Sequence, residues 1–210
     1  MIYGSYFDGL GDHWTFINYL SSTHSSSTLS IWSGQFPKRK LKSYSTRYSD
    51  ILNLLQLNYP ITLTDQQPTN LLQFNPSLFP LPFLSTKVIH TNPIRQIYFH
   101  KKSAPWGIPN RCLSQSDLTT LTSFCSQNNI SLIESVHEQS LTQVVQYLSQ
   151  SSIFIGVDSG IAHIALSTGI PVYLKYSQDI HKYYPNKNVT IFYNESELNQ
   201  ILQSSFDPSA

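Results

Sequence analysis

Two hydrophobic rhythms alternate along this chain. One is the short unbroken apolar run, as in Ile153-Phe-Ile-Gly-Val157 and Val172-Tyr-Leu174, which has no polar face and so fits a parallel strand covered on both sides. The other is helical spacing: Leu141, Val144, Val145 and Leu148 fall at i, i+3, i+4 and i+7, the stripe of a helix lying on a sheet. Together they predict strand 2–6, helix 12–21, strand 28–33, a helix around 45–57 and an extended piece at 60–64. Further along they predict strands near 87–90 and 94–100, helix 115–128, strand 130–133, helix 138–150 and strand 153–157. Helix 160–168, strands 171–175 and 189–193, and helix 195–204 complete the series. Between the two sets, Asn75-Pro76-Ser-Leu-Phe-Pro80-Leu-Pro82 can continue neither a helix nor a central strand. It reads as a linker dividing residues 1–85 from 86–210. Strands separated by helices on both sides of it imply an α/β fold of two α/β layers, with right-handed crossovers.

Composition narrows the class without naming a function. Charged residues make up 12% of the chain and hydrophobic ones 40%, and the net charge is +1, so nothing global argues for nucleic acid or a membrane surface as partner. The two cysteines, Cys112 and Cys125, are too few for a disulfide framework and suggest a reducing compartment. No run reaches the roughly 20 apolar residues of a membrane span, and the first residues lack a basic leader region. The expected location is the cytoplasm. The seven histidines include no pair at zinc-ligand spacing with a cysteine companion, so no metal and no bound cofactor are expected. There is no Walker Gly-x-x-x-x-Gly-Lys either, which argues against a P-loop kinase.

Chemistry concentrates after the strand at 153–157. Asp158-Ser159-Gly160 follows it directly, with Asp158 in the place of a helix N-cap. Ser159 and Gly160 supply small residues and backbone N–H groups at a helix start, where unpaired donors and the helix dipole favour an anion such as a pyrophosphate. His163 lies four residues beyond Ser159 on the same helical face. Ile161, Ile164, Ala165 and Thr168 form the packing face, and Gly169 is a natural stop before Pro171.

This array of strand, Asp-Ser-Gly, His, helix, Gly-x-Pro and strand resembles the donor-binding signature of glycosyltransferase family 9, the heptosyltransferase-like enzymes of lipopolysaccharide inner-core synthesis. The resemblance implies a GT-B-like architecture, two facing Rossmann-like domains with a nucleotide-sugar held between them. It also gives Asp158, Ser159, Gly160 and His163 the diphosphate and ribose of that donor. Near the N-terminus, Gly9-Leu-Gly11-Asp12 matches the family's Gly-Asp, which implies that Asp12 is the catalytic base, with His13 beside it as a possible acceptor contact. In the loop after strand 94–100, Lys101 or Lys102 corresponds to the family's phosphate-binding lysine, and the adjacency leaves the choice open. In open parallel sheets ligands sit beyond the carboxyl ends of the strands, where Asp12, Lys101 and Asp158 all fall.

The likeness covers about residues 90 to 205 and the first twenty. The N-terminal half, residues 1–85, is shorter than the family's acceptor domain, so it is expected to be reduced and the acceptor is not carried over. That half holds Lys38-Arg39-Lys40-Leu-Lys42 and Arg47, five of the chain's 13 Lys and Arg residues, with Tyr44 and Tyr48 interleaved. Lys38, Arg39, Lys40 and Lys42 are candidates for a phosphate-bearing acceptor, including modified DNA, since cations meet phosphate oxygens and tyrosine stacks on bases. A glycan or a protein would serve equally. Glu134, Lys175, Gln178 and Asp179 follow strand ends and are further candidates for the donor pocket.

The expected activity is transfer of a sugar from a nucleoside-diphosphate sugar to an acceptor hydroxyl, inverting and metal-independent. Two alternatives stand beside it: a non-catalytic nucleotide-sugar binding protein, and an epimerase or hydrolase of the donor.

Overall fold

The computed structural model describes residues 2–3, 29–32, 61–64, 66, 95–103, 111–136, 139–177, 180 and 189–207. Within them are eight strands: β1 (Ile2–Tyr3), β2 (Leu29–Trp32), β3 (Ile61–Thr64), β4 (Gln96–Phe99), β5 (Ser131–Glu134), β6 (Ile153–Gly156), β7 (Val172–Lys175) and β8 (Val189–Phe192). Four helices alternate with the later strands: α1 (Gln115–Gln127), α2 (Leu141–Gln150), α3 (Gly160–Ser167) and α4 (Glu195–Phe206). The predicted helices 12–21 and 45–57, the strand near 87–90 and the Pro-rich linker lie outside the described residues.

Each half of the chain builds its own sheet. The first is three-stranded and parallel in the order β1-β2-β3, with Ile2 opposite Ser30 and Leu29 opposite Ile61. The second is five-stranded in the order β5-β4-β6-β7-β8, and every pair in it is parallel. The apolar runs explain that burial, since all four residues of β4 and of β6 are buried. Side chains alternate across the sheet. Ile97, Phe99, Ile153, Ile155 and Val157 join Leu121, Phe124, Leu198 and Leu202 in the core under α1 and α4. On the opposite face Tyr98 packs on Phe154 and on Tyr147 of α2, and Gln96 donates to Ser151 Oγ at 2.9 Å. Buried Cys125 belongs to the α1 side, where desolvation pushes its thiol up to about 11.

Helix starts are set by side-chain caps. Ser114 and Asp117 close a capping box on α1, and Ser140 and Gln143 close one on α2, each satisfying two otherwise unpaired donors. Helix α2 therefore begins at Leu141, three residues later than the sequence pattern suggests. Helix α3 ends as expected: Gly169 takes φ 78° just beyond the cap at Thr168, a left-handed conformation that costs glycine nothing.

Candidate functional site at the carboxyl edge of the second sheet

The order β5-β4-β6-β7-β8 reverses direction once. From β4 the chain moves outward to β5, then returns past β4 to β6. The crevice beyond the carboxyl ends of β4 and β6 is the switch point where doubly wound sheets take ligands.

The β6 side of this crevice is the Asp158-Ser159-Gly160 turn. The N-cap of α3 is Ser159, not Asp158: its backbone is extended at φ −163°, ψ 165°, and its Oγ accepts the Ala162 N–H at 3.3 Å. Asp158 is otherwise engaged. Its Oδ2 meets Arg111 Nη2 at 2.7 Å, with the carboxylate buried and the guanidinium side chain 17% exposed. The expectation that Asp158 caps the helix is corrected on this ground, because a buried carboxylate held by a guanidinium leaves the cap to its small hydroxyl neighbour.

Arg111 reaches that position because the chain after β4 doubles back. Lys102 bridges antiparallel to Cys112, Ser103 N–H donates to Arg111 O at 3.1 Å, and Leu113 N–H donates to Lys101 O at 2.8 Å. The strand ends are locked together beneath it, since His100 N–H donates to Ile155 O at 3.0 Å. A Cβ on Gly156 would stand 2.8 Å from the Phe154 ring and 3.2 Å from His100 O, so this approach requires glycine.

His163 projects from the first turns of α3 and is half-buried. Burial, and after it the positive charge of Arg111, pushes the imidazole down from 6.5 to about 4. The ring is therefore neutral at physiological pH, with one nitrogen donating and the other accepting.

The remaining candidates fall in different places. Lys101 pairs with Glu134 at 2.7 Å across the carboxyl ends of β4 and β5, both partly exposed. Lys102 is exposed beside Cys112. Lys175 turns under α1, where its Nζ meets Asp117 Oδ1 at 3.0 Å and lies 5.4 Å from the centre of the Phe192 ring. Asp12, His13, Lys38, Arg39, Lys40, Lys42, Gln178 and Asp179 lie outside the described residues. The structure thus brings Asp158, Ser159, Gly160 and His163 together, and adds Arg111, which the sequence reading missed. Its one available signal was position: a cation just ahead of the Ser114-x-x-Asp117 helix start, in the loop after the first strand of the sheet. The arrangement is suited to an anion, with a helix N-terminus and a guanidinium converging where a parallel sheet opens. Among the described residues no group of three or more His, Cys, Asp or Glu is placed to hold a metal ion.

No family model matches the chain, and no curated protein matches its sequence. Solved structures do match its shape. TibC, an iron-containing dodecameric glycosyltransferase from enterotoxigenic E. coli, superposes with a TM-score of 0.61 at 14% identity over 92% of this chain. TibC has also been solved as a heptosyltransferase in complex with ADP-D-β-D-heptose. The E. coli heptosyltransferase WaaC with ADP superposes with a TM-score of 0.54 at 10% identity, covering 97% of this chain and 99% of WaaC. This chain spans 62% of the length of TibC. At these identities the likeness establishes the fold: the chain has the α/β, heptosyltransferase-like fold expected from its sequence.

Proposed function

We propose that the chain is a glycosyltransferase that moves a sugar from a nucleoside-diphosphate sugar onto an acceptor hydroxyl, with inversion and without a metal. The observation that supports it is the convergence of Arg111 and the N-terminus of α3 at the switch point of the second sheet. Two structures of the same fold contain matching chemistry, ADP-heptose with TibC and ADP with WaaC.

In this reading residues 86–210 hold the donor and residues 1–85 the acceptor. The donor diphosphate lies against Gly160 and the first turn of α3. A guanidinium carries five N–H donors, so Arg111 meets a phosphate oxygen while keeping Asp158. Arg111, not Lys101 or Lys102, is then the principal phosphate cation. Asp158 fixes the guanidinium, and neutral His163 offers a hydrogen bond without adding charge. Asp12 takes the proton of the acceptor hydroxyl as its oxygen attacks the anomeric carbon. The bond from that carbon to the diphosphate breaks, and the charge gathering on the diphosphate is met by preorganised donors. The acceptor is a glycan, a protein or a phosphate-bearing molecule that meets Lys38, Arg39, Lys40 and Lys42.

The test is sugar transfer from ADP-, GDP- and UDP-sugars, with binding and turnover measured separately on Asp12→Asn. A transferase keeps donor binding and loses turnover. A non-catalytic binding protein keeps binding with no turnover to lose, and an epimerase or hydrolase consumes donor with no acceptor present. Either of those results would overturn the proposal.

A further inference from the structure

Most large apolar side chains among the described residues are at least partly covered, and the exposed ones are Val136, Tyr176 and Tyr193. Two of these three stand together. Tyr176 follows β7 and Tyr193 follows β8, with ring centres 4.8 Å apart and planes 24° from parallel. The two residues remain 42% and 53% exposed. Both backbones are anchored: Tyr176 N–H donates to Phe192 O at 2.8 Å, and Tyr193 N–H donates to Glu197 Oε2 at 2.8 Å. With two stiff side-chain torsions each, such rings offer contact area at small entropic cost.

Position indicates what the rings meet. The pair sits on the same carboxyl edge as the proposed diphosphate site, one and two strands beyond β6, or about 5 to 10 Å sideways at ordinary strand spacing. On the other side of that site Glu134 ends β5, the strand next to β4. In doubly wound nucleotide folds, a carboxylate there takes the ribose hydroxyls. A donor lying with its nucleoside toward β5 directs its diphosphate-linked sugar toward β7 and β8. A pyranose is flat and carries C–H bonds on its faces, which makes it complementary to an exposed tyrosine face. Resting on the function proposed above, we infer that Tyr176 and Tyr193 form a stacking platform for a saccharide ring, belonging either to the donor's transferred sugar or to a sugar acceptor.

The experiment has two arms, run on the wild type, Tyr176→Ala, Tyr193→Ala and the corresponding Tyr→Phe variants, each checked for fold by circular dichroism. Calorimetry compares ADP, GDP and UDP with their glucose conjugates. Saturation-transfer NMR follows methyl β-glucopyranoside and methyl β-galactopyranoside in the absence of nucleotide. A donor-sugar platform weakens a glucose conjugate by about five- to tenfold in the Ala variants, leaves the bare diphosphate unchanged, and keeps affinity in the Phe variants. An acceptor-sugar platform leaves the donors unchanged and loses transfer to the glycosides in the Ala variants alone. Failure of every nucleotide to bind would remove the proposed function while the NMR arm still reads the platform. Ala variants that match the wild type in both arms, or a wild type that binds neither conjugates nor glycosides, would overturn the inference.

Discussion

Two buried ion pairs lie along the carboxyl edge of the second sheet, and by size and burial they are near twins. Arg111–Asp158 spans 2.7 Å and Lys175–Asp117 spans 3.0 Å; in each the cation is 17% exposed and the carboxylate is buried. They differ in what else the carboxylate holds. Asp117 also accepts from Ser114 N–H at 2.8 Å and Ser114 Oγ at 2.7 Å, so its charge is spent fixing the start of α1. Asp158 leaves the capping of α3 to Ser159 and stands with Arg111 at the switch point beside His163. Ion-pair geometry alone does not separate a structural pair from one in the proposed donor site. The separation comes from the neighbouring hydrogen bonds and the place in the topology.

The largest expected effect falls on the structural pair. Asp117→Ala removes both the carboxylate half of a capping box and the partner of a buried lysine, and stability in urea denaturation should fall by about 3–5 kcal/mol. The double variant Lys175→Met with Asp117→Asn should recover much of that loss and bind nucleotide normally; lost binding would make this pair functional too. For the other pair the expectation reverses. Arg111→Met with Asp158→Asn leaves no unpaired buried charge, so the fold should hold, while nucleoside-diphosphate affinity measured by calorimetry falls at least about tenfold, or ~1.4 kcal/mol.

His163 adds a pH signature on the side of the proposed donor site alone. Its folded-state value, about 4, lies below the 6.5 of the unfolded chain. Between these values the unfolded state binds the extra proton, so stability rises with pH through that window. The contribution is complete above about 6.5 and is lost as pH falls toward 4, a change on the order of 2–3 kcal/mol. Denaturation midpoints followed from pH 7 to pH 4 should show this slope in the wild type and a flatter one in His163→Gln. The smallest effect belongs to the exposed Lys101–Glu134 pair, where Lys101→Ala should change stability by less than about 1 kcal/mol. A loss of nucleotide affinity in that variant as large as in the Arg111 variant would return the phosphate role to Lys101.

The second sheet was almost fully legible because its strands are unbroken apolar runs and its helices carry periodic stripes. Boundaries were less so. The late start of α2 was written in Ser140-Leu-Thr-Gln143, a capping box, but Glu138 and Gln139 look equally helical and extend the pattern backwards. In the candidate site, the placing of Asp158, Ser159, Gly160 and His163 together was readable because they are consecutive or nearly so on one turn and one helix. Arg111 was not, since its contact with Asp158 depends on the doubling back of residues 101–103 against 111–113, which no local periodicity encodes. Lys175 shows the converse: its place at the end of a strand suggested the donor pocket, and strand alternation turns it under α1, where it meets Asp117. Asp12 and the basic segment at 38–47 rest on sequence alone.

The decisive measurement is calorimetric titration of ADP, GDP and UDP into three proteins: the wild type, Arg111→Met/Asp158→Asn and Lys175→Met/Asp117→Asn. If the switch-point pair builds the donor site, at least one nucleotide binds the wild type and the second double variant alike and binds the first at least about tenfold more weakly. Equal binding by all three proteins, or binding by none, would contradict a nucleotide site built on Arg111 and the Asp158 turn.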